Sequence, residues 1–327
     1  MLNIDGSTGE GGGQVVRNTL ALSALTGIPV TITRIRARRK NRGLAAQHIA
    51  AVQAVASACD AECQGATPGS ATLEFIPHEP ECCHVSVAVG TAGSIPLVIQ
   101  AWLPVALHAG GTLHVTGGTE VRMSPTIDYL DHVFATVLRS SGADIRIRIL
   151  KRGYFPEGGG EVEVAVQQKT ISPVIPGNVP DRFCHIYSCS SNLPDHVAER
   201  QAAAAAAAVG SESGGACTIH LDRRTGLSTG SSCTVVKGPN GGTALGRRGL
   251  PAEEVGKMAA RALLSETSAT GTVDSHLSDQ LLLPLALYGG SFSTHALTSH
   301  AETTCRLLEK FGYEISVRGA TPVEFAA

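Results

Sequence analysis

The stretch Ile95-Pro96-Leu97-Val98-Ile99-Gln100-Ala101-Trp102-Leu103-Pro104-Val105-Ala106-Leu107-His108, with Gly110-Gly111-Thr112-Leu113-His114-Val115 behind it, decides the fold. It reads as an apolar helix, a glycine stop and a strand. Glycine is the expected residue just past a last helical turn, and the β-branched run after it favours extended backbone. The same plan recurs on both sides. Upstream, Val15 to Leu25 precedes Gly27-Ile28-Pro29-Val30-Thr31-Ile32; downstream, Gln280 to Tyr288 precedes Gly289-Gly290-Ser291-Phe292. A second predicted helix follows each unit: Gly43 to Cys59, Ile127 to Ser141 and Thr303 to Gly312. Each of these leads into a strand such as Ala143 to Leu150, whose apolar residues alternate with a period of two.

Three copies of one plan imply an α/β (α+β) fold, a large domain of three repeated βαβαββ modules with helices stacked on sheets. Between about 179 and 271 the texture changes. Ala202 to Ala208 is a strong helix former with Asp195 as N-cap, and Ser228 to Gly242 is loose and rich in Gly, Ser and Thr. The expectation is a large domain from 1–178 and 272–327, interrupted by a smaller inserted α+β domain at 179–271.

The chain has 327 residues, 43% of them hydrophobic, and a mean hydropathy near zero, which describes a soluble globular protein with a substantial core. A formal charge of −2 argues against coating nucleic acid along its length, yet leaves recognition of a nucleic-acid end open. Met1 to Glu10 lacks the basic start and apolar run of a secretory signal, and no apolar stretch reaches membrane length, so a cytoplasmic location without a membrane partner is expected. Nine scattered cysteines without a C-x-x-C pair read as reduced thiols. Cys59 and Cys63, four apart on a predicted helix, read as small buried hydrophobes, since two ligands do not make a zinc site.

Chemistry concentrates near the two ends. Gly9-Glu10-Gly11-Gly12-Gly13-Gln14-Val15-Val16-Arg17 reads as a tight turn opening a helix. It is neither a P-loop, because no Gly-Lys-Ser/Thr follows, nor a dinucleotide fingerprint, because Gln14 stands where the last glycine belongs. A plain β-to-α turn and a phosphate cradle both fit the glycines. Glu10 and Arg17 favour the cradle, since a carboxylate can hold Mg²⁺ or Mn²⁺ and a guanidinium can fork onto phosphate. Arg34, Arg36, Arg38, Arg39, Lys40 and Arg42 put six cations in nine positions, a density that invites anions. Arg34 and Arg36 flank Ile35 on an apparent strand, so their side chains should share one face, with Arg38 continuing the row. Gln47-His48 opens the next helix, His48 reading as a structural hydrogen-bonder. Glu157-Gly158-Gly159-Gly160 reads as structural. Histidine is a credible nucleophile at phosphorus, because the P–N bond it forms is still activated for a second transfer. His295 and His300 in the closing stretch are the candidates, and Asp279 could orient an imidazole, contact a metal or cap a helix.

These residues resemble the RNA 3′-terminal phosphate cyclase family. The carrying phrases are Asp5-Gly6 with Gly9 to Gln14 and Arg17; Ile35-Arg36-Ala37 with Gly43-Leu44 and Gln47-His48; Gly90-Thr91-Ala92-Gly93-Ser94 with Gln100; Arg152-Gly153-Tyr154-Phe155-Pro156 with Gly158-Gly159-Gly160; His196-Val197-Ala198-Glu199-Arg200; and Ser278-Asp279-Gln280 with Leu282 and Pro284. They run in family order along the whole chain. The resemblance implies the modular fold with its insert. It also implies a nucleotidyl-transferring ligase that uses ATP and Mg²⁺ or Mn²⁺ to turn an RNA 3′-phosphate into a 2′,3′-cyclic phosphodiester. The route passes through a histidine–AMP at His300 and an RNA-(3′)pp(5′)A intermediate, releasing AMP and pyrophosphate. Under it Glu10 is the metal-side carboxylate, Arg17 and Arg36 serve catalysis, and Gln100, His276, Leu277, Ser278, Asp279, Gln280, Arg39 and Gln47 bind the nucleotide or RNA phosphate. His276 stands where the family usually has tyrosine, leaving an imidazole face for adenine stacking, and Glu120 to Pro125 is unusual. Self-association as a homodimer is left open. The alternatives are a non-catalytic relative in ribosome assembly, against which His300, Glu10 and Arg17 speak, and an enolpyruvyl transferase.

Overall fold

The structure, a computed structural model, describes residues 1–180, 183–213, 216–267 and 270–327, with 212 and 213 described by backbone alone. It is a mixed α/β protein. The first elements are β1 (Leu2–Asp5), α1 (Gly13–Thr26), β2 (Val30–Thr33), α2 (Ala46–Ala58), β3 (Glu62–Gln64) and β4 (Leu73–Ile76), in a sheet of order β1-β2-β4-β3. Strands β1 and β2 are parallel, a geometry that requires a crossover, which α1 supplies.

The second group is β5 (Cys83–Ala88), α3 (Ile95–Ala109), β6 (Gly111–Gly117), α4 (Ile127–Tyr129), a π-helical turn (Leu130–Phe134), α5 (Ala135–Ser140), β7 (Asp144–Lys151) and β8 (Gly160–Gln167). Its sheet order, β5-β6-β8-β7, repeats the first. Helix α3 stops at Gly110, whose φ of 80° lies in the left-handed region that a side chain disfavours.

Residues 184–267 follow as β9 (Cys184–Ser191), α6 (His196–Ser213), β10 (Cys217–Arg224), β11 (Gly230–Lys237), β12 (Asn240–Leu245) and α7 (Ala252–Thr267). Their sheet, β10-β9-β11-β12, carries α6 and α7 on one face over a separate apolar cluster that includes Ile186, Val235 and Leu263. The last group is α8 (Ser275–Tyr288), β13 (Ser291–Thr294), α9 (Ser299–Lys310), β14 (Ser316–Arg318) and β15 (Val323–Ala326), with order β13-β15-β14. Val174, upstream of the intervening elements, pairs in parallel with Gly290.

One large core holds the remaining groups together: α1 packs on α2, α3 and α9, and Trp102, Phe75 and Phe325 are fully buried. Each leucine buried as completely as Leu20 contributes roughly 1.5–3 kcal/mol. No helix among the described residues is long and apolar enough to cross a membrane.

Three sequence expectations need correction. Strand β2 ends at Thr33, and Arg34 and Arg36 take φ of 51° and 52° in a turn, so they do not line one strand face. The turn is fixed by Ile35, which is fully buried, donates its amide to Ala71 O and accepts from Gly43 N. Helices α8 and α9 begin at Ser275 and Ser299, earlier than the apolar periodicity predicts, so Asp279 lies inside a helix that Asp274 caps by accepting from Leu277 N at 2.8 Å. Cys59 and Cys63 do not share a helix, because α2 ends at Ala58 and Cys63 lies in β3.

Candidate active site

The turn after β1 is pressed from two sides. A Cβ on Gly9 would collide with the Thr303 hydroxyl of α9, and one on Gly13 would collide with His48 Nε2 of α2. Glycine here permits close approach of helix starts as well as of any anion. Helix α1 begins at Gly13 without a side-chain cap, which leaves its first amides free of protein acceptors of that kind.

His300 is the second residue of α9. Thr298 caps that helix by accepting from Ala301 N at 2.9 Å, and its own hydroxyl donates to Asp279. The His300 ring contacts Gln14 Oε1 through Nδ1, and its Nε2 lies 3.3 Å from Glu10 Oε2. Glu10 also pairs with Arg39, and Arg38 donates to the Gly9 carbonyl at 3.1 Å. The cation-rich segment therefore curls back over the glycine turn. Arg34 reaches Asp5 and Arg36 donates to the Gly43 carbonyl at 2.9 Å.

Electrostatics separate the charged from the neutral groups. Burial brings the Arg17 guanidinium down to about 10, against the pull of Glu10, so it stays cationic at neutral pH. Arg36 is lowered by burial and by Arg39. His48 falls to about 3, through burial first and then Arg17 and Arg36. It is a neutral imidazole whose Nδ1 accepts from Ala45 N at 3.0 Å, which leaves Nε2–H facing Gly13. Asp279 is pushed up to about 6 by burial, with Thr298, His300 and His276 working the other way.

A cavity of about 590 Å³ opens beside His300, lined at this end by Gln14, Arg17, Asn18, His276 and Asp279. It continues between α3 and α8 into an apolar end that reaches Leu107 and Tyr288. Gln100 donates its amide to Gln280 across the gap. Pro104 and Pro284 also line the cavity, and each lacks the amide that would bond the carbonyl four residues back, at Gln100 and Gln280. Helices α3 and α8 thus each lack one internal backbone hydrogen bond beside the cavity.

Of the residues singled out in sequence, His300, Arg17, Gln100, His276, Asp279 and Gln280 share this cavity, while Glu10 and Arg39 sit at its His300 end through the contacts above. Leu277 and Ser278 are buried instead, and the Ser278 hydroxyl donates to Ser275 O at 2.8 Å. Gln47 accepts from Ser94 N at 3.0 Å and so ties α2 to the start of α3. Sequence reasoning did not assign roles to Gln14, Asn18, Thr298 and Thr304. Gln14 and Asn18 are one helical turn apart, and both donate to Thr304 Oγ1, at 3.0 and 3.3 Å. Their spacing was a usable signal; their partner was not.

Glu10 can serve a hard divalent ion as one carboxylate beside substrate phosphates, the usual way Mg²⁺ is held. Among the described residues no group of three or more His, Cys, Asp or Glu forms a self-sufficient metal cage.

The second glycine cluster belongs to a joint. Arg152 is buried and binds Glu120 at 2.6 Å, Asp128 at 2.8 and 2.9 Å and Asp222 of β10 at 2.7 Å. Burial pushes Glu120 up to about 8, whereas Arg224 and Arg152 hold Asp222 below its ordinary value despite burial. Ser228 locks the same loop by accepting from Tyr154 N and donating to Gly158 O.

Residues 8–317 match the family described as RNA 3′-terminal phosphate cyclase. The RNA 3′-terminal phosphate cyclase of Methanococcoides burtonii is 42% identical over 321 residues, covering 95% of this chain and 94% of the relative. That of Saccharolobus islandicus is 40% identical over 344 residues, covering 100% and 99%. That of Pyrobaculum neutrophilum is 43% identical over 324 residues, covering 95% and 92%.

Proposed function

This chain belongs to the RNA 3′-terminal phosphate cyclase family of enzymes, and from that premise we propose that His300 carries AMP between ATP and an RNA 3′-phosphate. In the first step an imidazole nitrogen of His300 bonds to the α-phosphorus of ATP, and pyrophosphate leaves. An oxygen of the RNA 3′-phosphate then attacks that phosphorus, breaking the P–N bond and giving RNA-(3′)pp(5′)A. Finally the neighbouring 2′-OH attacks the 3′-phosphorus, the 2′,3′-cyclic phosphodiester closes and AMP departs. A terminal phosphate has no good leaving group of its own, and the mixed anhydride supplies one.

The observation that carries this reading is His300 standing against Glu10 at the end of a cavity that Arg17 also lines. Arg17, still cationic at neutral pH, and Arg36 and Arg39 balance phosphate charge. Mg²⁺ or Mn²⁺ bound at Glu10 would neutralise polyphosphate oxygens. Gln100, Gln47, Asp279, Gln280 and the exposed His276 ring are read as nucleotide contacts, and Leu277 and Ser278 as supports for that helical turn.

We also read the chain as three βαβαββ modules, residues 1–178 and 272–327, with 179–271 inserted into the third. Supporting this, the first two sheets share one strand order, the third sheet lacks only the leading strand, and Val174 pairs with Gly290 where that strand would run.

Incubation with ATP, Mg²⁺ and an RNA ending in a 3′-phosphate tests the whole reading. The expected product is an RNA end resistant to phosphatase, formed with one AMP per end. An RNA that stays phosphatase-sensitive contradicts it.

A further inference from the structure

We propose that Gln14 is a positioning residue for His300, holding the imidazole in the tautomer that leaves Nε2 free to attack phosphorus, and that Thr304 fixes Gln14 in turn. This rests on His300 being the adenylylated residue. Gln14 sits in the first turn of α1, and Thr304 lies one turn beyond His300 on the same side of α9. The Thr304 hydroxyl oxygen, 1% exposed as a residue, accepts from Gln14 Nε2 at 3.0 Å and from Asn18 Nδ2 at 3.3 Å. With its NH₂ so engaged, the Gln14 amide turns Oε1 toward His300 Nδ1.

A carbonyl oxygen can only accept, so Nδ1 must supply the proton. Glu10 is an acceptor too, so at 3.3 Å Nε2 can carry a second proton; when that proton leaves, the Gln14 contact keeps the other one on Nδ1 and the lone pair falls at Nε2. The opposite tautomer would set two lone pairs against each other in a half-buried contact and leave the amide oxygen without a donor. This is the outer-partner logic by which the group behind an imidazole decides which nitrogen does chemistry. Gln14 occupies the position where a dinucleotide-binding turn would need glycine, and here its side chain has a task of its own.

The test uses the full chain with radiolabelled ATP and Mg²⁺ and no RNA, in single turnover. The phosphoramidate isomer is assigned by phosphorus–proton NMR on the histidine peptide. In the wild type AMP is expected on Nε2 alone. Gln14→Ala should slow adenylylation roughly 10–100-fold, less than the ~10⁴ seen when a buried carboxylate that holds a catalytic imidazole is neutralised. Its Kd for ATP should change far less than the rate, and part of the adduct should move to Nδ1. Gln14→Glu, whose carboxylate also accepts from Nδ1–H, should recover most of the rate. Thr304→Val should show a weaker form of the alanine defect, and it carries the test alone if Gln14→Ala does not fold. AMP on Nδ1 in the wild type overturns the proposal, as does a Gln14→Ala protein that labels Nε2 alone at the wild-type rate. A wild type with no labelled histidine overturns the proposed function itself, and this with it.

Discussion

His300 Nε2 lies 3.3 Å from Glu10 Oε2, so a residue near the C-terminus and one in the first turn of the chain meet as neighbours. The pair joins the start of α9 to the glycine turn behind β1, and Arg39 closes on Glu10 from the third side. A nucleophile facing a carboxylate directly would be repelled as its lone pair turns outward. A divalent ion held by Glu10 would neutralise the carboxylate and so remove that conflict.

Glu10→Gln keeps the shape of the side chain and removes its charge. If Glu10 holds the divalent ion, labelling of the protein by ATP should fall on the order of 10²-fold, with part of the loss recovered at high Mn²⁺. Rapid-quench labelling across a metal titration measures it. A variant that labels like the wild type at limiting Mg²⁺ would remove Glu10 from the metal site.

Arg152 is surrounded by Glu120, Asp128 and Asp222, and truncating it leaves buried carboxylates unpaired. Arg152→Ala should therefore lower unfolding stability by about 3–5 kcal/mol, read from urea midpoints. Because Asp222 belongs to β10 and Glu120 and Asp128 to the segment that lines the cavity with Ser124 and Pro125, the same change should raise the KM for ATP. A stability change within about 0.5 kcal/mol, the range of an ordinary surface substitution, would contradict this account of the joint.

His48 titrates near 3 in the folded chain and near its ordinary 6.5 when unfolded. As pH falls below 6.5 the unfolded chain takes a proton that the fold refuses, so the stability this group contributes is present above 6.5 and lost progressively toward 3. Compared with His48→Gln, the wild type should lose stability on going from pH 7.5 to 5, with a slope of at most about 1.4 kcal/mol per pH unit. Parallel urea curves for the two proteins over that range would exclude the buried neutral imidazole.

The helix–glycine–strand units were legible because α1, α3 and α8 carry long apolar faces that stop at glycine, and these signals are local. The starts of α8 and α9 were not, because His276, Ser278 and Asp279, and likewise His300, Glu302 and Thr303, break the apolar periodicity where the helices turn toward the cavity or cap themselves. Arg34 and Arg36 read as a strand by alternation, yet a buried Ile35 held by backbone bonds to Ala71 and Gly43 outweighs that pattern. For the site, Glu10, Arg17 and His300 could be picked out by residue type as candidates for phosphate chemistry. The Gln14–His300 and Gln14–Thr304 contacts join opposite ends of the chain and have no local signature.

The central claim is a histidine that becomes covalently adenylylated. Incubating wild type and His300→Ala with α-labelled ATP and Mg²⁺, then testing the bond for acid lability and alkali stability, addresses it most directly. The wild type should carry an acid-labile, alkali-stable label and the variant none. A labelled His300→Ala protein would contradict the claim.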